Sequence, residues 1–133
     1  MKNFNELSGP WQGLSVQDGL RISESISLSI RNGHIRGDGC DKDGDFELSG
    51  FYQSRNETVM LTRVYSLTTE PSQAGVGIAY DYEGKWDGAM VSGRWHPRSN
   101  PYYGGPFEMW PAREEDQEEL RIEFEERFEK APA

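Results

Sequence analysis

The stretch Leu20-Arg-Ile-Ser-Glu-Ser-Ile-Ser-Leu-Ser-Ile30, followed by Arg31-Asn32-Gly33, decides how the whole chain is read. Apolar residues at 20, 22, 26, 28 and 30 alternate with polar ones, and Glu24 is the one interruption on the apolar side. A period of two places those side chains on one face of a half-buried strand. Asn32-Gly33 then supplies the pair a type I′ turn prefers, because both central positions take positive φ. A third strand, around His34 to Gly39, returns antiparallel to the second.

Outward from this hairpin the same grammar repeats. Asp43-Gly-Asp-Phe-Glu-Leu-Ser-Gly-Phe-Tyr52 is nearly copied by Asp87-Gly-Ala-Met-Val-Ser-Gly-Arg-Trp95: an Asp-Gly turn signal, then apolar-x-apolar-Ser-Gly-x-aromatic. Spacing by two puts Phe46, Leu48, Gly50 and Tyr52 on one face, and Ala89, Val91, Gly93 and Trp95 on another. The remaining strands are Trp11 to Val16, Thr58 to Ser66 after the polar loop 54–57, Gly75 to Tyr82, and Gly105 to Pro111 after the Pro/Asn/Gly-rich loop 97–104. Strand six is expected to carry Val76, Ile78, Tyr80 and Tyr82 on one side. Eight short strands joined by tight turns predict a mainly β fold, an eight-stranded antiparallel up-and-down barrel. Closure removes the exposed edges an open meander would leave.

The chain has 133 residues, one cysteine (Cys40) and a net charge of −9. That length is read as a single domain, barrel about 9–112 and C-terminal helix about 113–130. No internal disulfide is possible with one cysteine, and the first residues lack an apolar signal region, so the expectation is a cytoplasmic protein. No run approaches the ~18 apolar residues of a membrane span. Residues 113–130 hold nine acids against four bases. With no compensating basic stripe elsewhere, nucleic acid is an unsuitable partner. In the same segment Leu120, Phe124 and Phe128 recur at i, i+4 and i+8, a narrow apolar stripe that either lies against the barrel wall or closes one mouth, or else mediates a homodimer or partner contact.

Gly9-x-Trp11 opening the first strand of an eight-stranded meander, with Gly-rich hairpins and a Trp on the late strands, resembles the calycin superfamily of lipocalins, fatty-acid-binding proteins and avidins. The resemblance implies that Trp11 packs at the closed end of the barrel, with an Arg crossing over it; Arg113 is the nearest candidate. It also implies a small apolar ligand held inside. An eight-stranded barrel is just wide enough to be filled by its own side chains or to hold one small molecule.

Residues for a site follow from strand phase. Arg63 shares a face with Val59, Leu61 and Tyr65, although the opposite face, Met60, Thr62 and Val64, is nearly as apolar. If Arg63 points inward, its guanidinium needs a carboxylate. Glu24 can supply one as a structural ion pair, or a ligand can, as fatty-acid-binding proteins imply. The predicted ligand-binding set is therefore Arg63, Tyr65, Tyr80, Trp95 and Glu24, for a small apolar or carboxylated molecule. The alternative is a filled barrel acting as a protein-interaction module through its acidic C-terminal helix.

Other chemistry is thinner. Asp38, Asp41, Asp43 and Asp45 suggest calcium, but the EF-hand loop needs Gly at its sixth position, which counted from Asp41 is Phe46. The cluster reads as turn chemistry and no metal site is assigned. His34 and His96 have no zinc-type spacing. His96 beside Trp95 is a candidate general base or haem ligand, with no paired carboxylate in its neighbourhood of sequence. No cofactor is assigned, and an enzyme is the third reading.

Overall fold

The structure, a computed structural model, describes residues 3–68 and 75–112. Eight strands close into an antiparallel barrel in simple meander order: β1 Gly9–Gln17, β2 Leu20–Arg31, β3 His34–Asp41, β4 Gly44–Gln53, β5 Thr58–Thr68, β6 Ala79–Trp86, β7 Val91–Pro97 and β8 Gly105–Pro111. β8 completes the cylinder against β1, with Trp11 opposite Pro111 and Ser15 opposite Phe107. The predicted C-terminal helix, its stripe Leu120, Phe124 and Phe128, and Arg113 lie outside the described residues.

β2 behaves as its pattern dictates: Ile22, Glu24, Ile26, Leu28 and Ile30 are buried, and every intervening residue is exposed. Arg31 pairs with His34 around Asn32-Gly33, whose φ values of 51° and 80° are those of a type I′ turn. Asp18-Gly19 makes the same turn between β1 and β2, at 50° and 78°.

Three details depart from the sequence reading. Strand six begins at Ala79 rather than at residue 75, because Gly75 and Gly77 take φ of 66° and 85° and interrupt extended backbone. Val76 and Ile78 are exposed in consequence, and only Tyr80 and Tyr82 keep the inward phase. The chain reverses at Lys42-Asp43, leaving Gly44 as the first residue of β4. Ala89 stands exposed in the β6–β7 turn, where the Asp87 carboxylate accepts from the Ala89 and Met90 amides, and inward alternation starts at Val91.

The repeated Ser-Gly finds its reason in the wall. A Cβ built at Gly50 would overlap the Met60 carbonyl oxygen, and one at Gly93 the Glu83 carbonyl oxygen. Both glycines let the neighbouring strand approach closely.

One end of the cylinder is stoppered. A short 3-10 helix, Phe4–Glu6, precedes β1, and the fully buried Phe4 ring lies 4.5 Å from Tyr52, 5.5 Å from Trp86 and 5.6 Å from Trp11. Trp11 is buried there, as the calycin resemblance implies, and its indole N–H donates to the Leu7 carbonyl at 2.7 Å. At the other end lie the β1–β2, β3–β4, β5–β6 and β7–β8 connections, here called the mouth.

Candidate functional site

Alternation along β5 settles which way Arg63 faces. Val59, Leu61, Arg63 and Tyr65 are buried, whereas Met60 is exposed on the outer wall. The guanidinium is therefore inside, and Glu24 from β2 meets it end-on: Nη2 to Oε2 at 2.6 Å and Nη1 to Oε1 at 2.9 Å. Two parallel charge-assisted bonds fix the planar fork of Arg against the carboxylate. Its faces are covered as well, the Phe46 ring centroid lying 3.7 Å and the Tyr82 centroid 4.7 Å from Cζ. Aromatic faces carry negative potential, so they stabilise a desolvated cation.

Two further groups complete the cluster. The Ser15 hydroxyl donates to Glu24 Oε1 at 2.8 Å. Asp41, the last residue of β3, brings Oδ2 to 3.4 Å from Arg63 Nη1 and receives the Tyr65 hydroxyl on that same oxygen at 2.5 Å. Its Oδ1 accepts from the Asp43 and Gly44 amides at 2.8 and 3.2 Å. One carboxylate thus joins the hairpin turn at the mouth to the ionic cluster in the lumen. Arg63 Nε is buried and has no hydrogen-bond partner among the described residues.

The electrostatics follow from two carboxylates sharing one guanidinium. Burial raises the Asp41 pKa, and the Tyr65 hydroxyl, the Asp43 amide and Arg63 only partly oppose that rise. Burial likewise raises the pKa of Tyr65 and Tyr82, so both phenols stay protonated at neutral pH. Desolvation opposes the Arg63 charge, but its surrounding oxygens, on Tyr82 and Glu24 first, more than compensate and keep it cationic.

Beyond the cluster, aromatic rings line the mouth in a continuous arc. Centroid separations are 5.7 Å for Phe46–Tyr65, 5.9 Å for Tyr65–Tyr80, 6.2 Å for Tyr80–Trp95 and 6.0 Å for Trp95–Tyr103, all near edge-to-face. This arrangement matches the quadrupoles of neighbouring rings. The Trp95 indole donates to the Val16 carbonyl at 3.1 Å, and the Tyr103 hydroxyl to Asp18 at 2.8 Å, tying the arc to β1 and its turn. Leu20, Leu67, Val76, Ile78, Tyr102 and Tyr103 are the exposed large apolar residues around this rim. Leu67 reaches it because the β4–β5 register shifts between Asp45 and Phe46, which leaves Ser66 unpaired and turns the next side chain outward.

All five predicted site residues therefore lie in one connected region: Arg63 and Glu24 in the lumen, Tyr65, Tyr80 and Trp95 in the arc above. The sequence reading missed Ser15, Phe46, Tyr82, Tyr103 and, most consequentially, Asp41. The alternation Ile35, Gly37, Gly39, Asp41 puts Asp41 in the inward phase of β3, a signal masked by its place among turn acids. Asp38 and Asp45 are exposed, so the acid cluster divides between the two sides of the wall. His96 lies on the outer wall opposite Asp81, with Nδ1 2.8 Å from the Pro97 carbonyl oxygen rather than at the mouth's interior. No protein-family model, curated protein or solved structure matches the chain.

Proposed function

We propose that the barrel takes up one small, largely apolar molecule through the mouth, between the aromatic arc and the ionic cluster below it. The observation that carries this reading is the asymmetry of the two ends. One is stoppered by Phe4, while at the other the half-buried Tyr80 and, beneath it, the buried Tyr65 and Trp95 lie inside a rim of exposed Leu20, Leu67, Val76 and Ile78.

The unpartnered Arg63 Nε favours a ligand with a hydrogen-bond acceptor. Its two terminal nitrogens are already held by Glu24 and Asp41. A ligand carboxylate would add a third anion beside one cation, so of the two ligand types a neutral acceptor such as a hydroxyl or carbonyl fits better than an acid.

Titrating the full chain with the neutral fluorophore N-phenyl-1-naphthylamine, then displacing it with 1-dodecanol or lauric acid, tests both parts. Saturable one-to-one binding, displacement by the alcohol at lower concentration than the acid, and a loss of about tenfold in affinity for Tyr80→Asp, with the β-sheet circular dichroism of the fold retained, are expected. Absence of saturable binding, or affinity indifferent to Tyr80→Asp, overturns the mouth as a site. Preferential displacement by the acid overturns the neutral-acceptor assignment.

A further inference from the structure

We propose that the C-terminal segment, residues 113–133, docks across the outer face of β4 to β7. That face holds a concavity of about 770 Å3 lined in part by Phe51, Met60, Lys85, Arg94, His96 and Arg98. Phe51 and Met60 are 48% and 41% exposed, and they are the large exposed apolar residues away from the mouth rim. Paired across β4 and β5, they form one apolar spot in an otherwise polar wall.

Charge selects the occupant. The face carries Lys85, Arg94 and Arg98 against Asp81 and Glu83, an excess of one positive charge; Arg98 is engaged by Asp81 at 2.8 Å, and Glu83, opposite Arg94 in the β6–β7 ladder, forms no ion pair with Lys85 or Arg94 among the described residues. Lys85 donates only to the Asn56 carbonyl, at 2.9 Å. Two other outer concavities have the opposite balance, with Asp38 and Glu47 against Arg36 in one, and Asp38, Asp45 and Glu47 in the other. A segment with nine acids and four bases is the complement of the first face and is repelled by the others.

Reach agrees with charge. The Ala112 amide donates to the Pro10 carbonyl at 2.9 Å, so the segment leaves β8 at the stoppered end, far from the mouth rim. Met60 and Lys85 sit close to that same end of β5 and β6. Adjacent strands are about 4.8 Å apart, which places β5 and β4 roughly 14 and 19 Å from β8 around the wall. A helix rising about 1.5 Å per residue across the strands sets Leu120, Phe124 and Phe128 roughly 12, 18 and 24 Å beyond Ala112. The apolar stripe then passes over Met60 and Phe51 while flanking acids face Lys85 and Arg94.

The chain has four lysines, Lys2, Lys42, Lys85 and Lys130, which makes carbodiimide cross-linking easy to map. The full chain is cross-linked as an equal mixture of 14N and 15N protein and its peptides are read by mass. Expected are links from Lys85 to tail glutamates such as Glu123 or Glu126 within one isotope. Arg94→Gln, an exposed change that removes the charge without setting a second carboxylate opposite Glu83, is expected to reduce their yield about fivefold at an unchanged melting temperature. Mixed-isotope links, showing a second copy as the occupant, links to Lys42 instead of Lys85, or a yield insensitive to Arg94→Gln would each overturn the proposal.

Discussion

Glu24 and Arg63, 39 residues apart in sequence, meet through two hydrogen bonds of 2.6 and 2.9 Å in the lumen of the barrel. Their strands, β2 and β5, are separated by β3 and β4 in the cylinder, so the pair braces walls that share no backbone hydrogen bonds. It also reports register. Slipping either strand by one residue would send its charge to the outer wall and strand the partner inside.

Breaking this brace from one side leaves an uncompensated buried charge. Glu24→Leu or Arg63→Met alone is expected to cost about 3–5 kcal/mol, whereas the two combined should recover most of the loss. Urea unfolding of the three variants checks this. Additive losses in the double variant would show that the two residues do not act as a pair.

Asp41 connects stability to pH with a definite sign. Its folded pKa is raised above 3.8, chiefly by burial, so the folded state holds that proton more tightly than the unfolded chain. Its contribution is fully present below pH 3.8 and is lost as pH rises through the folded value. Asp81 works oppositely: hydrogen bonds from Arg98 lower its pKa, and its contribution is lost on acidification. In thermal melts between pH 3 and 7, Asp41→Asn should therefore fall furthest below the native chain at the acid end. An offset constant across that range would count against Asp41 as the titrating group.

Which parts of this architecture were legible depended on the range of the signal. The alternation of β2 and the turn pair Asn32-Gly33 act over a few residues and give that hairpin directly. Phase along β5 left two faces for Arg63, and it was the company of Glu24 on β2 that made an inward ion pair one of the alternatives. The stopper was not legible, because Phe4–Glu6 is three residues long and has no period to read. Strand six was misplaced because Val76 and Ile78 mimic its alternation, while the positive φ of Gly75 and Gly77 is a backbone property that such a pattern does not weigh. Asp41 carried two signals, turn acid and inward phase, and only tertiary contact with Arg63 and Tyr65 shows that both hold.

The Ser-Gly repeat yields a prediction about the wall itself. Gly50→Ala and Gly93→Ala each place a methyl on a neighbouring strand's carbonyl oxygen, a backbone atom that cannot rotate away. Each should destabilise the barrel by about 1–3 kcal/mol or more, as overpacked sites do. Gly19→Ala is the contrast, since open space surrounds that position and only its positive φ of 78° resists substitution, at roughly 1 kcal/mol. Chemical denaturation of the three variants ranks them. Equal losses would mean that backbone conformation, and not close approach, explains the repeat.

The stopper makes the sharpest claim about the N-terminal residues. A three-residue 3-10 helix has no stability of its own, so Phe4–Glu6 is held in place by what Phe4 touches: Trp11, Tyr52 and Trp86, each within 6 Å of its ring centre. Burying a Phe completely against three rings makes it part of the core although it lies outside every strand. Phe4→Ala is expected to cost about 3–5 kcal/mol and to shift tryptophan emission to the red as water reaches Trp11 and Trp86. Asn3→Ala, which removes only the side chain accepting from the Asn5 amide at 3.1 Å, should cost about 1 kcal/mol or less. Denaturation curves with emission spectra separate the two. If both variants lose under 1 kcal/mol and emission is unchanged, the barrel closes without its stopper, and the asymmetry of its ends would no longer single out the mouth as the side where a ligand is held.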